Sequence, residues 1–375
     1  MTARSLIVLI FFSYACVDRL EYDLLKNSGG TGIVVEGFIS DSPGPHTVKI
    51  TRAFPIGKID SVRAVPFSAE KVTVIDNHGN QAVMTQVAAG IYQTTPNFKG
   101  VVNDQYKLRV EFKDATIFES KMDTLFGPGE LDSIYFSFSN APDDSQVPQF
   151  VFDVFADATL RGRPAKYFSW SMIGTYKAIT DASCDVNSCN FNFQQAVCNW
   201  APLCSGVINL GSTRFPRFER VSPCSCCTCW YQFFNEKPMI SSDFALNNVK
   251  RLKVGIVPIN SFTFTFKTHV EVQLRSLSAQ THFFWKRVIE QKVGAESLFQ
   301  PVTGKVPTSF NQVAGKPVNI SGIFYATSIK KKSFYLTREN IPNPDEMAPK
   351  LPTLCLSCLI LKPNSTTIKP AFWVD

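Results

Sequence analysis

A chain of 375 residues is long enough for two domains with sizeable cores, and 45% hydrophobic residues exclude a disordered one. The formal net charge of +7 is modest for that length, and its scattered basic residues give no footprint for nucleic acid. The one tight run, Lys330-Lys331-Lys332, reads as a solvated loop or an edge strand.

The first residues read as a signal peptide over 1–15. Arg4 precedes an apolar stretch from Leu6 to Phe12, which is too short to span a bilayer as a mature helix. The stretch ends at Ser13-Tyr14-Ala15-Cys16, and a small residue before cysteine resembles a bacterial lipobox, with Ser13 where leucine is usual. Lipidation of Cys16 is the expectation; ordinary cleavage nearby or an uncleaved anchor is the alternative. Residues 16–32 then form the lipid anchor and a tether, with Lys26 to Gly32 flexible by composition.

From residue 33 the pattern is that of strands. Ile33 to Ile39, His46 to Arg52, Lys71 to Asp76, Gly90 to Thr94, Gln105 to Phe112 and Thr116 to Ser120 are short runs rich in Val, Ile, Phe, Tyr and Thr, separated by turn residues. This spacing predicts an immunoglobulin-like or transthyretin-like β-sandwich over 33–126. Phe126-Gly127-Pro128-Gly129 marks a boundary, and 127–375 reads as a larger, mostly β domain. Its expected strands include 133–138, 150–155, 166–172, 251–256, 262–266, 269–274, 322–327 and 332–337. One helix is expected over 280–292, capped by Ser276 or Ser278, with Phe284 and Val288 one turn apart. Residues 181–230 form a cysteine-rich insertion.

The chain has 11 cysteines, and assigning Cys16 to lipid leaves an even ten: Cys184, Cys189, Cys198, Cys204, Cys224, Cys226, Cys227, Cys229, Cys355 and Cys358. An exported chain sits where disulfides persist, so these read as a disulfide framework. The Cys224-Ser225-Cys226-Cys227-Thr228-Cys229 cluster also has the close spacing of a soft-metal site, but no histidine is near it. Disulfides are therefore preferred, and no metal or cofactor is expected. A vicinal Cys226–Cys227 bond would be strained, so each is expected to pair elsewhere. At least one of Cys355 and Cys358 is expected to return to the 224–229 segment and tie the tail to the insertion.

No catalytic constellation emerges. His46, His78, His269 and His282 sit in none of the nucleophile–base or metalloprotease patterns, and Asp143-Asp144 lies in a polar loop. Two carboxylates far apart in sequence can still form a glycosidase pair, which keeps an enzyme as a third reading. Binding is the stronger expectation. Trp170 and Trp285 read as core, whereas Trp200 and Trp230 in the insertion are candidate partner or ligand surface.

Several local patterns together resemble a known family. They are the Cys16 start with Tyr22-Asp23-Leu24, Val34 to Asp41, Gly90-Ile91-Tyr92, Cys226-Cys227 near Trp230, Leu277-Ser278 to Trp285-Lys286, Ser297 to Pro301, Gly322 to Ala326, and Cys355-Leu356-Ser357-Cys358 with Lys369 to Trp373. In order and spacing they resemble the Bacteroidota lipoproteins designated domain of unknown function 4249. The cysteines between 184 and 229 are extra to that pattern. The resemblance implies a lipid-anchored, cell-surface-facing outer-membrane protein. It further implies a non-catalytic accessory subunit beside a TonB-dependent, SusC-like receptor. A stand-alone glycan-, peptide- or protein-binding adhesin is the alternative.

Overall fold

The computed structural model describes residues 32–53, 65–141, 149–160, 165–180, 189–192, 195–198, 206–209, 218–234, 239–242, 248–295, 308–350, 357–361 and 365–375. Cys16, Cys184, Cys204, Cys355 and Trp200 lie outside these residues. The protein is mainly β, and the described residues form two sandwiches, one long helix and disulfide-bonded cysteines.

The first sandwich is built from β1 (Gly32–Ser40), β2 (Thr47–Ala53), β3 (Val65–Pro66), β4 (Lys71–Asp76), β5 (Gln81–Val83), β6 (Thr85–Ala88), β7 (Ile91–Gln93), β8 (Gln105–Glu111), β9 (Ile117–Ser120) and β10 (Asp123–Thr124). Alternation sorts these strands into two sheets. In β8, Tyr106, Leu108 and Val110 point inward, while Lys107 and Arg109 point outward and both pair with Glu119 of β9. Ile33, Val35, Ile50, Val72, Leu108 and Phe118 fill the space between the sheets. Each such side chain contributes roughly 1.5–3 kcal/mol by leaving water.

The sandwich is not confined to 33–126, as the sequence suggests. Two later strands, β22 (Phe310–Ala314) and β23 (Ile320–Thr327), complete it. β23 runs parallel to β1, from Ile33 opposite Ile320 to Ser40 opposite Thr327, and β22 pairs with β9. The reason is edge protection. Without β23, β1 would expose a full row of unpaired backbone groups. Gly322 permits the close pairing: its φ is +106°, and a Cβ there would lie 2.1 Å from the Val35 carbonyl oxygen.

The second sandwich has a three-stranded sheet of β11 (Glu130–Ala141), β12 (Gln149–Thr159) and β20 (Asn248–Pro258). The opposing sheet holds β13 (Tyr167–Ile179), β18 (Thr228–Phe234), β19 (Met239–Ser242), β21 (Lys267–Leu277), β24 (Ile329–Thr337) and β25 (Ser365–Thr366). Phe152, Val154, Phe168, Trp170, Val272 and Leu274 meet between them. The lysine run lies on β24, an edge strand, where Lys331 pairs with Glu271 and Lys332 donates to the Asp132 carbonyl. Two hairpins, β14 (Cys189–Asn192) with β15 (Gln195–Cys198) and β16 (Val207–Asn209) with β17 (Phe218–Arg220), lie in the insertion.

Residues 262–266 form a turn instead of the expected strand. The Asn260 side chain accepts the Phe262 and Thr263 amides, and the Thr263 hydroxyl donates to the Pro258 carbonyl. This local capping overrides the alternation. The helix spans Ala279–Ala295, and Ser278 caps it by accepting the Thr281 amide at 3.1 Å.

That helix start is where the two sandwiches join. Asp123 is 2% exposed; its carboxylate accepts the Ala326 amide at 3.0 Å and the Thr281 hydroxyl at 3.2 Å, with Ser278 also donating. Ser276 donates to the Phe126 carbonyl and accepts the Ser328 amide. Asp41 accepts from Ser328 and from the Ile329 amide. Two of the chain's three crossings between the sandwiches, at 126–129 and at 328, are thus fastened to the same few side chains, and the third leaves through the helix that Ser278 caps.

Burial pushes the Asp123 carboxyl above the usual carboxylate range, against the three hydrogen bonds that favour its charge. A raised native pKa stabilises the fold below the unfolded value, and that contribution is lost as pH rises through the native one. Replacing Asp123 by Asn is expected to flatten stability against pH in the acid range. Asp123→Ala, which leaves buried donors unmatched, is expected to cost about 2–3 kcal/mol. Urea unfolding from pH 4 to pH 8 measures both.

Candidate functional site

The cysteine cluster occupies the end of the second sandwich remote from the joint. Cys224 bonds Cys227, and Cys229 bonds Cys358; Cys226 is disulfide-bonded as well, to a cysteine other than these. The expectation that Cys355 or Cys358 returns to the 224–229 segment holds for Cys358. Cys227 does pair away from Cys226, but only three residues back. The Sγ atoms of Cys224, Cys226 and Cys227 lie within 4.8 Å of one another, the spacing of a metal site. Bonded as disulfides they are not thiolates, so they lack the donor such a site needs. Cys189 stands opposite Cys198 in the β14–β15 hairpin.

Around the Cys229–Cys358 bond the tail is locked down. The Cys358 amide donates to the Cys226 carbonyl, Tyr231 donates to the Cys358 carbonyl, and β25 pairs with β18. Tyr231 stacks on Tyr176 at 5.3 Å, and burial raises its hydroxyl pKa well above the ordinary tyrosine value. Further on, Trp373 inserts between Trp230 and Tyr335, with ring centroids 6.4 and 6.0 Å away. Phe372 stacks on His269 at 4.2 Å. Asp375 meets Lys369 and Lys177, whose hydrogen bonds hold its carboxyl down to about 2.

Trp230 is therefore not a partner surface. It is 6% exposed, covered by Trp373 and by Lys177. The sequence misleads here because the covering residue is 143 positions downstream. The histidines stand apart: His46 is buried just ahead of β2, His269 is buried in β21, His78 lies exposed in a turn beside Asp104, and His282 stacks on Tyr167 from the helix.

The opposite pole, at the far end of the first sandwich, holds a cleft of about 580 Å³. It opens where β1 begins, β2 ends and β8 turns into β9. Ile33, Phe67, Phe112 and Val318 give it an apolar floor. Phe67 stacks on Phe112 at 5.2 Å, and the Arg52 guanidinium lies 4.1 Å over the Phe67 ring. The rim carries Ser68, Lys113, Asp114, Thr116 and Asn319. Asp114 is engaged within its own turn: it accepts the Thr116 amide at 3.1 Å, and the Thr116 hydrogen bonds and Lys316 hold its carboxyl below the usual range. Ala115 sits in this turn at φ +62°, a conformation alanine seldom adopts. Sequence reasoning missed the cleft because its residues come from five separated stretches; the aromatic pair Phe67 and Phe112 is its one local signal.

Fold and sites define a disulfide-clamped protein of two β-sandwiches. A family model described as Domain of unknown function (DUF4249) matches residues 17–333, and the chain belongs to that family. No curated protein matches. A solved structure, trypsin-activated alpha-2-macroglobulin from Escherichia coli, is similar at 11% identity and a TM-score of 0.20; the match covers 68% of this chain and 15% of that one. At that score the likeness carries no argument.

The two clamps differ in the loop they close. Chain entropy assigns about 5 kcal/mol to a bond spanning 129 residues and about 2 kcal/mol to one spanning three. Paired alanine substitution at Cys229 and Cys358 is expected to lower stability by clearly more than substitution at Cys224 and Cys227, as urea midpoints will report. Trp373→Ala, which uncovers Trp230, is expected to cost about 3 kcal/mol and to shift tryptophan emission to the red.

Proposed function

We propose that this protein is a surface-exposed outer-membrane lipoprotein, a non-catalytic binding subunit that associates with a TonB-dependent, SusC-like transporter. The lipobox-like Ser13-Tyr14-Ala15-Cys16 supports the anchor, and the Cys224–Cys227 and Cys229–Cys358 disulfides support an oxidising compartment. The cleft carries the binding role. Among the described residues its lining offers hydroxyls and no histidine or cysteine beside them, and its floor is apolar.

Position strengthens the reading. The cleft lies beside Ile33, seventeen residues after Cys16, so a lipid on Cys16 would hold it within about 60 Å of the bilayer. A ligand held there would stay within that distance of the membrane in which a transporter sits. The same cleft serves the second reading, a stand-alone glycan- or protein-binding adhesin, which differs by lacking the receptor.

Two measurements test the proposal. Cys16→Ala is expected to move the protein from the membrane to the soluble fraction. Affinity capture from detergent-solubilised membranes is expected to bring a barrel receptor along; its absence under mild detergent would remove the transporter from the proposal and leave the adhesin.

A further inference from the structure

We propose that the cleft at the free pole of the first sandwich takes a small anionic ligand with a flat apolar face, a carboxylate on a ring being the simplest chemistry that fits. The inference rests on the binding reading above and names the ligand class.

Four observations carry it. The volume, about 580 Å³, suits a small molecule and is too little for a protein surface. The floor presents a stacked pair, Phe67 on Phe112, with the Arg52 guanidinium over the Phe67 ring, so an apolar aromatic wall and a cation meet at one place. Arg52 and Lys113 line the cleft, and neither has a carboxylate within ion-pair distance among the described residues. The one acid in the lining, Asp114, is satisfied by Thr116 and faced by Lys316, so it leaves the two cations uncompensated.

Arg52 gives the site its direction. Its guanidinium is planar, with donors in a fixed fork that matches a carboxylate in two parallel hydrogen bonds. Lying over Phe67, the group is oriented by the ring beneath it. Lys113, exposed at the tip of the β8–β9 turn, adds a mobile second charge at the mouth. A neutral ligand would fill the apolar floor and forgo both; a bare inorganic anion would meet the cations and leave the floor wet.

The test uses the purified full chain and three probes: 2-naphthoate, the neutral 2-naphthylmethanol and inorganic phosphate. Calorimetric titration is expected to show naphthoate binding at least tenfold tighter than either other probe. Arg52→Gln and Lys113→Gln are each expected to weaken naphthoate about tenfold, about 1.4 kcal/mol, while Arg52→Lys retains part of the affinity. Lys253→Gln, on the second sandwich, should leave it unchanged. Equal binding of the neutral probe, equal binding of phosphate, no binding of naphthoate, or naphthoate affinity indifferent to Lys113→Gln would each overturn the proposal. Lys113 lies on an exposed turn, so its variant is informative even if an Arg52 variant folds poorly. No receptor enters the experiment, so its failure is read separately from failure of the transporter association.

Discussion

One buried carboxylate makes two sandwiches into one body. Asp123 sits at the end of β10 and is shared by the amide of Ala326 on β23 and the capping residues Ser278 and Thr281 of the helix. A charge removed from water is costly unless hydrogen bonds replace its hydration, and here the replacements come from two separate parts of the chain, the helix cap and β23. The helix cap, the end of the first sandwich and the return strand must therefore form together. The aromatic layer above, where Phe284 and Trp285 of the helix pack with Phe38, Tyr167 and Tyr325, buries the same joint. Without that network the helix would have no reason to lie across both sandwiches.

What was legible in the sequence follows from how local the physics is. Strand positions follow from alternation, so β1, β2, β4, β8 and β13 are found close to where the pattern puts them. The helix cap is legible because Ser278 and Thr281 act within one turn. The residue swap between sandwiches is not, since nothing in Ile320 to Thr327 says it pairs in parallel with a strand nearly 290 positions earlier. Residues 262–266 fail for the opposite reason: their alternation is real, but Asn260 offers a cheaper local arrangement. The cleft was illegible for the same reason as the swap. Its aromatic pair and its two cations come from the end of β2, the segment after β3 and the β8–β9 turn, and only closure of the sandwich brings them to one end.

The cysteine-rich segment changes meaning once its partners are known. By spacing alone it suits a metal; in the fold its sulfurs are spent on disulfides, and the Cys229–Cys358 bond returns the tail to β18. The tail then covers Trp230 with Trp373 and binds its final carboxylate between two lysines. Covalent, aromatic and ionic fastening coincide on a segment that would otherwise leave an apolar sheet face exposed. Trp230, one of the two aromatics expected here as a recognition surface, is part of the lock itself.

This gives the molecule two poles with different physics. The tail pole is covered: sulfur bridges, stacked tyrosines and a buried indole pair pack over the end of the sheet. The pole where β1 begins is open: among the described residues no carboxylate pairs with Arg52 or Lys113, Phe67 and Phe112 line a cavity, and Ala115 holds a backbone conformation that alanine avoids. Strain and unmatched charge persist where folding alone would remove them, and surrounding structure must over-determine them to survive. Evolution toward stability would pair those cations and fill that cleft; a surface kept open beside the chain's point of entry is better explained by what it holds than by how it folds.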